Sequence, residues 1–175
     1  IIKKLNKSFT KWNNKIKSSY IYKINNISDF NENSLTSNIK IKEGKGLPNT
    51  FVPGRNILFY TLSAAYAYDK KIKHIVSGVC QTDFSGYPDC RRSFFDAFEK
   101  TIDEGTKPQT KIKIKTPLIE MSKRDIVSYA FINNSPIQFS WSCYRNEDTP
   151  CGECDSCKLR ERGFKLAGYI DPIIN

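Results

Sequence analysis

The sequence predicts an α/β fold with a mainly parallel sheet and a short C-terminal segment built on cysteines. Three observations carry this. Strand-like segments alternate with helical ones along the chain, the order expected of parallel βαβ units. His74-Ile75-Val76-Ser77-Gly78-Val79 is β-branched and apolar without alternation, which predicts a strand buried on both faces. Four of the six cysteines, Cys143, Cys151, Cys154 and Cys157, form a C-x7-C-x2-C-x2-C run.

In chain order, residues 1–14 have weak helical character, and Ser19-Tyr20-Ile21-Tyr22-Lys23-Ile24 alternates as a strand would. From Asn25 to Gly46 the chain is rich in Asn and Ser and reads as a long loop, a length that points to function or mobility. Phe51-Val52-Pro53-Gly54-Arg55-Asn56 leads into a helix with Asn56 as N-cap and apolar residues as far as Tyr68. After the strand at His74–Val79, a loop over Gln81–Tyr87 precedes a helix opening at Pro88 or Asp89, with Phe94, Phe95 and Phe98 as its apolar stripe. Lys111 to Lys115 alternates as a second strand. Ser122-Lys123-Arg124-Asp125 resembles a capping box and starts a helix ending near Asn133-Asn134. Ligands of such folds sit beyond the carboxyl ends of the strands, here the loops after Val79 and after Lys115. The expected organisation is an α/β domain over residues 1–140 and a cysteine-bearing segment over 141–175 packed on it.

Size and composition fit one domain with a small appendage. A chain of 175 residues, 39% hydrophobic, can bury about 70% of its unfolded surface. No apolar run approaches the ~18 residues of a membrane span, and the N-terminus IIKKLNKSFTKW lacks the features of a secretory signal. The expected location is the cytoplasm. The first residue, isoleucine, suggests a fragment or a processed chain. The net charge of +10 invites a polyanion partner. Yet residues 1–45 hold 10 Lys against 3 acids, whereas the remaining 130 residues hold 18 basic and 15 acidic groups. Lys, Ile and Asn are all abundant and share A/T-rich codons, so a solvated Lys-rich surface accounts for most of the excess.

Four thiolates at such short spacing can converge on one tetrahedral Zn²⁺, with Gly152 allowing the sharp turn between Cys151 and Cys154 and Pro150 fixing its approach. A disulfide framework would need a secreted chain, and a redox dithiol needs one C-x-x-C rather than two overlapping ones. With no ligand position open, the zinc would be structural, a staple worth about 10 kcal/mol or more of folding free energy in apparent terms. Cys80 and Cys90 read as buried reduced thiols rather than nucleophiles. The single histidine, His74, lies on the strand expected to be buried and has no apparent Cys or Ser partner, so it reads as structural.

The order of several blocks is more specific. They are Leu47-Pro48-Asn49-Thr50-Phe51-Val52-Pro53-Gly54-Arg55-Asn56, then Gly78-Val79-Cys80, then Thr82-Asp83-Phe84-Ser85-Gly86-Tyr87-Pro88-Asp89-Cys90-Arg91, then Thr116-Pro117-Leu118, then the four cysteines. From about Ser34 to Gly168 this set resembles the QueC family of 7-cyano-7-deazaguanine synthases. The resemblance implies the Rossmann-like fold of PP-loop ATP pyrophosphatases (adenine nucleotide alpha hydrolase-like). It also implies the conversion of 7-carboxy-7-deazaguanine, ammonia and ATP, with Mg²⁺ as counter-ion, into the nitrile precursor of queuosine-type nucleosides. A homodimer, no membrane contact and no direct nucleic-acid binding belong to the same expectation. In that context Arg55 and Asn56, at a helix start, suit phosphate or carboxylate binding. Asp83, Ser85, Tyr87 and Asp89 offer donors and acceptors for a purine-like ring and Phe84 a stacking surface. Arg91 is left between binding the substrate carboxylate and packing on an acid. The S-G-G-x-D-S-type loop of PP-loop enzymes does not occur in these residues, where Ser77-Gly78 and Ser85-Gly86 are the only Ser-Gly pairs. The resemblance therefore predicts a truncated chain, inactive alone, in which catalytic and ATP-contacting residues cannot be named. Two other functions compete: a non-catalytic zinc module contacting tRNA or another polyanion through the basic N-terminal stretch, and a tRNA-thiolating PP-loop enzyme with catalytic cysteines.

Overall fold

A computed structural model describes residues 20–24, 34, 46–81, 86–106 and 110–174. The described elements are α1 (Arg55–Asp69), β1 (His74–Val76), a 3-10 turn at Pro88–Cys90, α2 (Arg92–Gly105), β2 (Lys113–Lys115), α3 (Lys123–Ile132), a 3-10 turn at Ile137–Phe139 and α4 (Asp155–Ala167). Two compact units result, residues 31–123 and residues 1–30 with 124–175. The sequence reading places its boundary at 140, whereas compactness assigns nearly all of α3 to the same unit as the cysteines.

In the first unit β1 and β2 are parallel, with His74 opposite Lys113, Ile75 opposite Ile114 and Val76 opposite Lys115. A parallel pair needs a crossover, and α2 supplies it. Ala64 and Ala67 of α1, Phe95 and Ile102 of α2, and Ile112, Ile114 and Ile119 form the core, with Tyr60, Ile75, Val79, Phe94 and Phe98 packed at its margin. Small residues three apart on α1 let that helix approach closely. The Tyr60 ring then meets Phe95 edge-on at 5.2 Å, and Phe94 stacks on Phe98 at 5.7 Å. Such geometries use the ring quadrupole as well as apolar area.

The second unit holds α3, α4 and the cysteines. Phe131 stacks on Tyr169 at 3.9 Å and meets Phe164 edge-on at 6.3 Å. α4 ends at Gly168, φ 75°, where the Tyr169 N–H donates to the Phe164 carbonyl and the Gly168 N–H to that of Lys165. This is the paired-bond arrangement that favours glycine in the left-handed region. α3 ends the same way on Asn134, φ 50°, a residue type that tolerates this conformation.

Several expectations are corrected. β1 is not covered on both faces: Val76 is 71% exposed and His74 is also exposed, while Ile75 is half-buried on the core side. Among the described residues both helices of this unit pack on the Ile75 and Ile114 side, so the face with His74, Val76, Lys113 and Lys115 meets solvent. Tyr20–Ile24 forms no strand, and Tyr20, Ile21 and Tyr22 are all exposed. Asn56 is not an N-cap: α1 begins at Arg55, and Gly54, φ 78°, occupies the cap position. The second helix begins at Arg92, because Pro88–Cys90 closes a separate 3-10 turn. Arg91 is thus the extended, exposed residue before α2 rather than one turn inside it. The helix expected in residues 1–14 and nearly all of the loop from Asn25 to Gly46 lie outside the described residues.

Candidate functional site

Loops leaving the carboxyl ends of β1 and β2 are tied together. The Ser77 N–H donates to the Lys115 carbonyl at 2.8 Å and the Gln81 N–H to that of Ile119 at 2.9 Å. The Cys80 thiol donates to the Met121 carbonyl at 2.9 Å. The Gln81 side chain donates to Glu120 at 2.6 Å and accepts from the Arg92 N–H at 2.9 Å, so one amide joins both loops to the start of α2.

Against this edge lies the segment leading into α1. The Phe51 N–H donates to the Pro48 carbonyl at 3.0 Å, closing a turn that presents Thr50 inward, only 2% exposed. Gly54 reverses the chain, and Arg55 and Asn56 occupy the first helical positions. Asn56 Nδ2 donates to Cys90 Sγ at 3.7 Å, and the Asn56 amide also bonds the Asp89 carboxylate. The Arg55 guanidinium lies beside Asp89. Burial pushes the Asp89 carboxyl above its ordinary value, and the charge of Arg55 with the bonds of Asn56 and Cys90 only partly offsets this. Burial, together with the Asp89 charge, pushes the Cys90 thiol up to about 11, so it stays largely protonated near neutral pH and reacts slowly. Tyr60 and Ser77 share a hydroxyl–hydroxyl bond on the inner side of this cluster, and burial raises the Tyr60 phenol.

Of the residues singled out for substrate, Arg55, Asn56 and Asp89 are therefore brought together. Tyr87 is adjacent but shares its hydroxyl with Thr50, and its ring packs on Phe51 at 5.7 Å. Arg91 is exposed at the start of α2. Asp83, Phe84 and Ser85 lie outside the described residues, as does most of the basic N-terminal stretch. Sequence reasoning missed Thr50, Tyr60, Ser77 and Gln81. Thr50 stands within the quoted block before α1, and Tyr60 follows Asn56 by one helical turn, the only signals that could have found them.

In the other unit the ligand atoms of Cys143, Cys151, Cys154 and Cys157 all lie within 4.8 Å of one another. Cys151 Sγ and Cys157 Sγ are 4.0 Å apart, close to the edge of about 3.8 Å expected for a tetrahedron with 2.3 Å bonds. Backbone N–H groups converge on the sulfurs: those of Arg145, Asn146 and Cys151 donate to Cys143 at 3.4, 3.3 and 3.4 Å, and that of Cys154 to Cys151 at 3.4 Å. Burial raises the Cys143 thiol, but these donors outweigh it and bring it down to about 6. Burial pushes Cys157 up to about 12, as expected of a thiol closed in with three others. Cys154 caps α4 and Cys157 lies in its first turn, where the helix dipole favours negative sulfur. Gly152, φ 73°, makes the turn between Cys151 and Cys154. Number, spacing and softness of the donors fit Zn²⁺, and all four positions would be filled by protein.

These features define an α/β protein with a polar cluster at the carboxyl edge of parallel strands and a closed four-thiolate centre. A family model described as "Queuosine biosynthesis protein QueC" matches residues 3–168. The chain is 47% identical over 151 residues to the 7-cyano-7-deazaguanine synthase of Campylobacter curvus, covering 84% of this chain and 68% of that one. It is 48% identical over 128 residues to the synthase of Nautilia profundicola, covering 73% and 58%, and 44% identical over 162 residues to that of Aliarcobacter butzleri, covering 90% and 71%. The chain belongs to the QueC family, and with it to the Rossmann-like PP-loop superfamily. It spans 58% of the length of some of these relatives and 71% of others. Among the described residues no helix is long and apolar enough to cross a membrane.

Proposed function

We propose that this chain is the substrate-recognition and zinc-bearing part of an ATP-dependent, cytoplasmic 7-cyano-7-deazaguanine synthase. The observation that carries the reading is the meeting of Arg55, Asn56 and Asp89 at the carboxyl edge of β1, formed by two blocks that also carry the family resemblance. A carboxylate resists attack by ammonia because its leaving group would be oxide. Transfer of AMP from ATP to a carboxylate oxygen of 7-carboxy-7-deazaguanine releases pyrophosphate and provides a good leaving group. Ammonia then attacks the carbonyl carbon, giving the amide, AMP and a proton. A second AMP transfer, to the amide oxygen, lets that oxygen depart with AMP as the nitrogen loses its protons, leaving the nitrile.

Arg55, half-buried at the open end of α1, suits the substrate's negative carboxylate, where guanidinium and helix dipole act in the same sense. Asp89, buried and held by Asn56, suits the ring N–H and amino donors of a deazapurine. Mg²⁺ would neutralise departing pyrophosphate when bound. One Zn²⁺ on Cys143, Cys151, Cys154 and Cys157 would fold the C-terminal unit and take no part in chemistry. The active protein is proposed to be a homodimer, for which sedimentation is the test. The functional test supplies the full-length protein with the acid, ammonia and ATP·Mg²⁺. Nitrile, AMP and pyrophosphate should form, and Asp89→Asn should lose acid binding before ATP binding. Failure of the full-length protein to form amide or nitrile would overturn the reading.

A further inference from the structure

Hydroxyl groups of Thr50 and Tyr87 meet across a gap of 37 residues in sequence. Thr50 is 2% exposed, so its hydroxyl cannot turn to water for a partner. The same two segments touch at two more points. Phe51 packs on the Tyr87 ring at 5.7 Å. Gly86, φ +70°, runs so close that a Cβ there would lie 3.3 Å from the Gly46 carbonyl oxygen and 3.4 Å from Pro48. Immediately after Tyr87 comes the 3-10 turn Pro88–Cys90, whose Cys90 N–H donates to the Tyr87 carbonyl at 3.2 Å. That turn carries Asp89 and Cys90 to Asn56.

We propose that the Thr50–Tyr87 pair is a positioning clamp: it holds the Pro88–Cys90 turn against the start of α1 and so sets the place of Asp89, with Tyr87 acting through the turn rather than on the substrate. The physical reason is connectivity. Asp89 is two residues from Tyr87, in a turn of three residues, so an anchored Tyr87 leaves the carboxylate little freedom. Its partners Arg55 and Asn56 follow Thr50 by five and six residues through the Gly54 reversal. The clamp closes the loop that joins them, and preorganisation of this kind lowers the ordering cost of binding. A tyrosine hydroxyl already engaged with a buried threonine has less to offer a ligand than Asp89 has. The consequence for binding rests on the proposed function, but the clamp itself does not.

The test uses Tyr87→Phe, Thr50→Val, the double variant and Thr50→Ser in the full-length protein. Each is near-isosteric, and Thr50→Ser keeps the hydroxyl. The first readout is iodoacetamide alkylation of Cys90, located by peptide mass, with Asn56 and the turn shielding it in the wild type. Both single variants should speed alkylation by about fivefold, the double no more than either single, and Thr50→Ser should return the wild-type rate. The second readout is calorimetric binding of 7-carboxy-7-deazaguanine, which should weaken about fivefold in both singles while ATP binding holds. Unchanged Cys90 alkylation in both singles overturns the clamp. Weakened acid binding in Tyr87→Phe but not in Thr50→Val also overturns it, by making Tyr87 a ligand. A wild type that binds no acid while Cys90 alkylation responds as stated refutes the proposed substrate and leaves the clamp standing.

Discussion

Asp171→Asn should destabilise the C-terminal unit more than any surface change of charge. Arg160 Nε donates to Asp171 Oδ2, and Arg160 Nη2 donates to Oδ1 at 2.8 Å, a two-pronged contact between side chains only 9% and 6% exposed. Arg160 Nη1 donates to Ser140 Oγ at 2.8 Å, and the guanidinium lies 5.1 Å from the Phe164 ring centroid. The Ile173 N–H also donates to Asp171 Oδ1 at 3.2 Å, so the carboxylate ties the chain after α4 to its second turn. An amide at 171 keeps the shape but turns two N–H donors toward a guanidinium that has only donors. The arginine is left charged and poorly paired out of water, a loss of about 3–5 kcal/mol when one partner of a buried pair is removed. Urea unfolding of the zinc-saturated protein, followed by circular dichroism, should show that loss as a lower midpoint at constant slope. The loss should barely change with added salt, since buried pairs are weakly screened. Replacing both partners, Arg160→Met with Asp171→Leu, should recover most of it. A loss below about 1 kcal/mol for Asp171→Asn would put the pair among exposed ion pairs and refute the reasoning.

Three other outcomes are expected. Elemental analysis should find one zinc per chain, lost in Cys154→Ser; because Cys157, pushed up to about 12, must give up its proton to bind metal, competition with a chromogenic chelator should show affinity falling on acidification. Asp89→Asn should not lower stability at neutral pH. The folded state holds the Asp89 proton more tightly than the unfolded chain, so the stability that the carboxyl contributes is fully present below its ordinary 3.8 and is lost as pH rises through the elevated value; the wild type's advantage over the variant should shrink over that window. Thr116→Val should raise stability by about 1 kcal/mol in urea unfolding, because Thr116 Oγ1 is buried with no hydrogen-bond partner among the described residues.

The local chemistry of helix ends and metal ligands was legible in the sequence. The four cysteines meet as their spacing predicts, and the helix before Asn133-Asn134 stops there because Asn134 accepts a left-handed backbone. Asn56 was misread because Asn is a strong N-cap, yet Gly54 makes the reversal earlier and frees the Asn56 side chain for the Pro88–Cys90 turn. An apolar run such as His74–Val79 says that a strand exists but not what lies on each face. That depends on where the helices pack, and here they pack on the Ile75 side. Thr50 stands inside a quoted block but was not singled out, since its partner is Tyr87 and no local pattern encodes a contact so distant in sequence.

The first unit carries two energetic faults. Asp89 is a carboxyl that burial makes harder to ionise, and a neutral side chain there would fold at lower cost. Thr116 buries a hydroxyl without a partner, where valine would have the same shape. The first sits in the turn reached from the carboxyl end of β1 and the second immediately after the carboxyl end of β2. The core of this unit follows the rules of stability: alanines where α1 meets it, phenylalanines along one face of α2, a buried isoleucine on β2. Local violations of packing and polarity rules gather where function requires them. Each fault follows a parallel strand in the chain, on the carboxyl side where α/β folds bind ligands, and so each agrees with the site proposed from Arg55, Asn56 and Asp89.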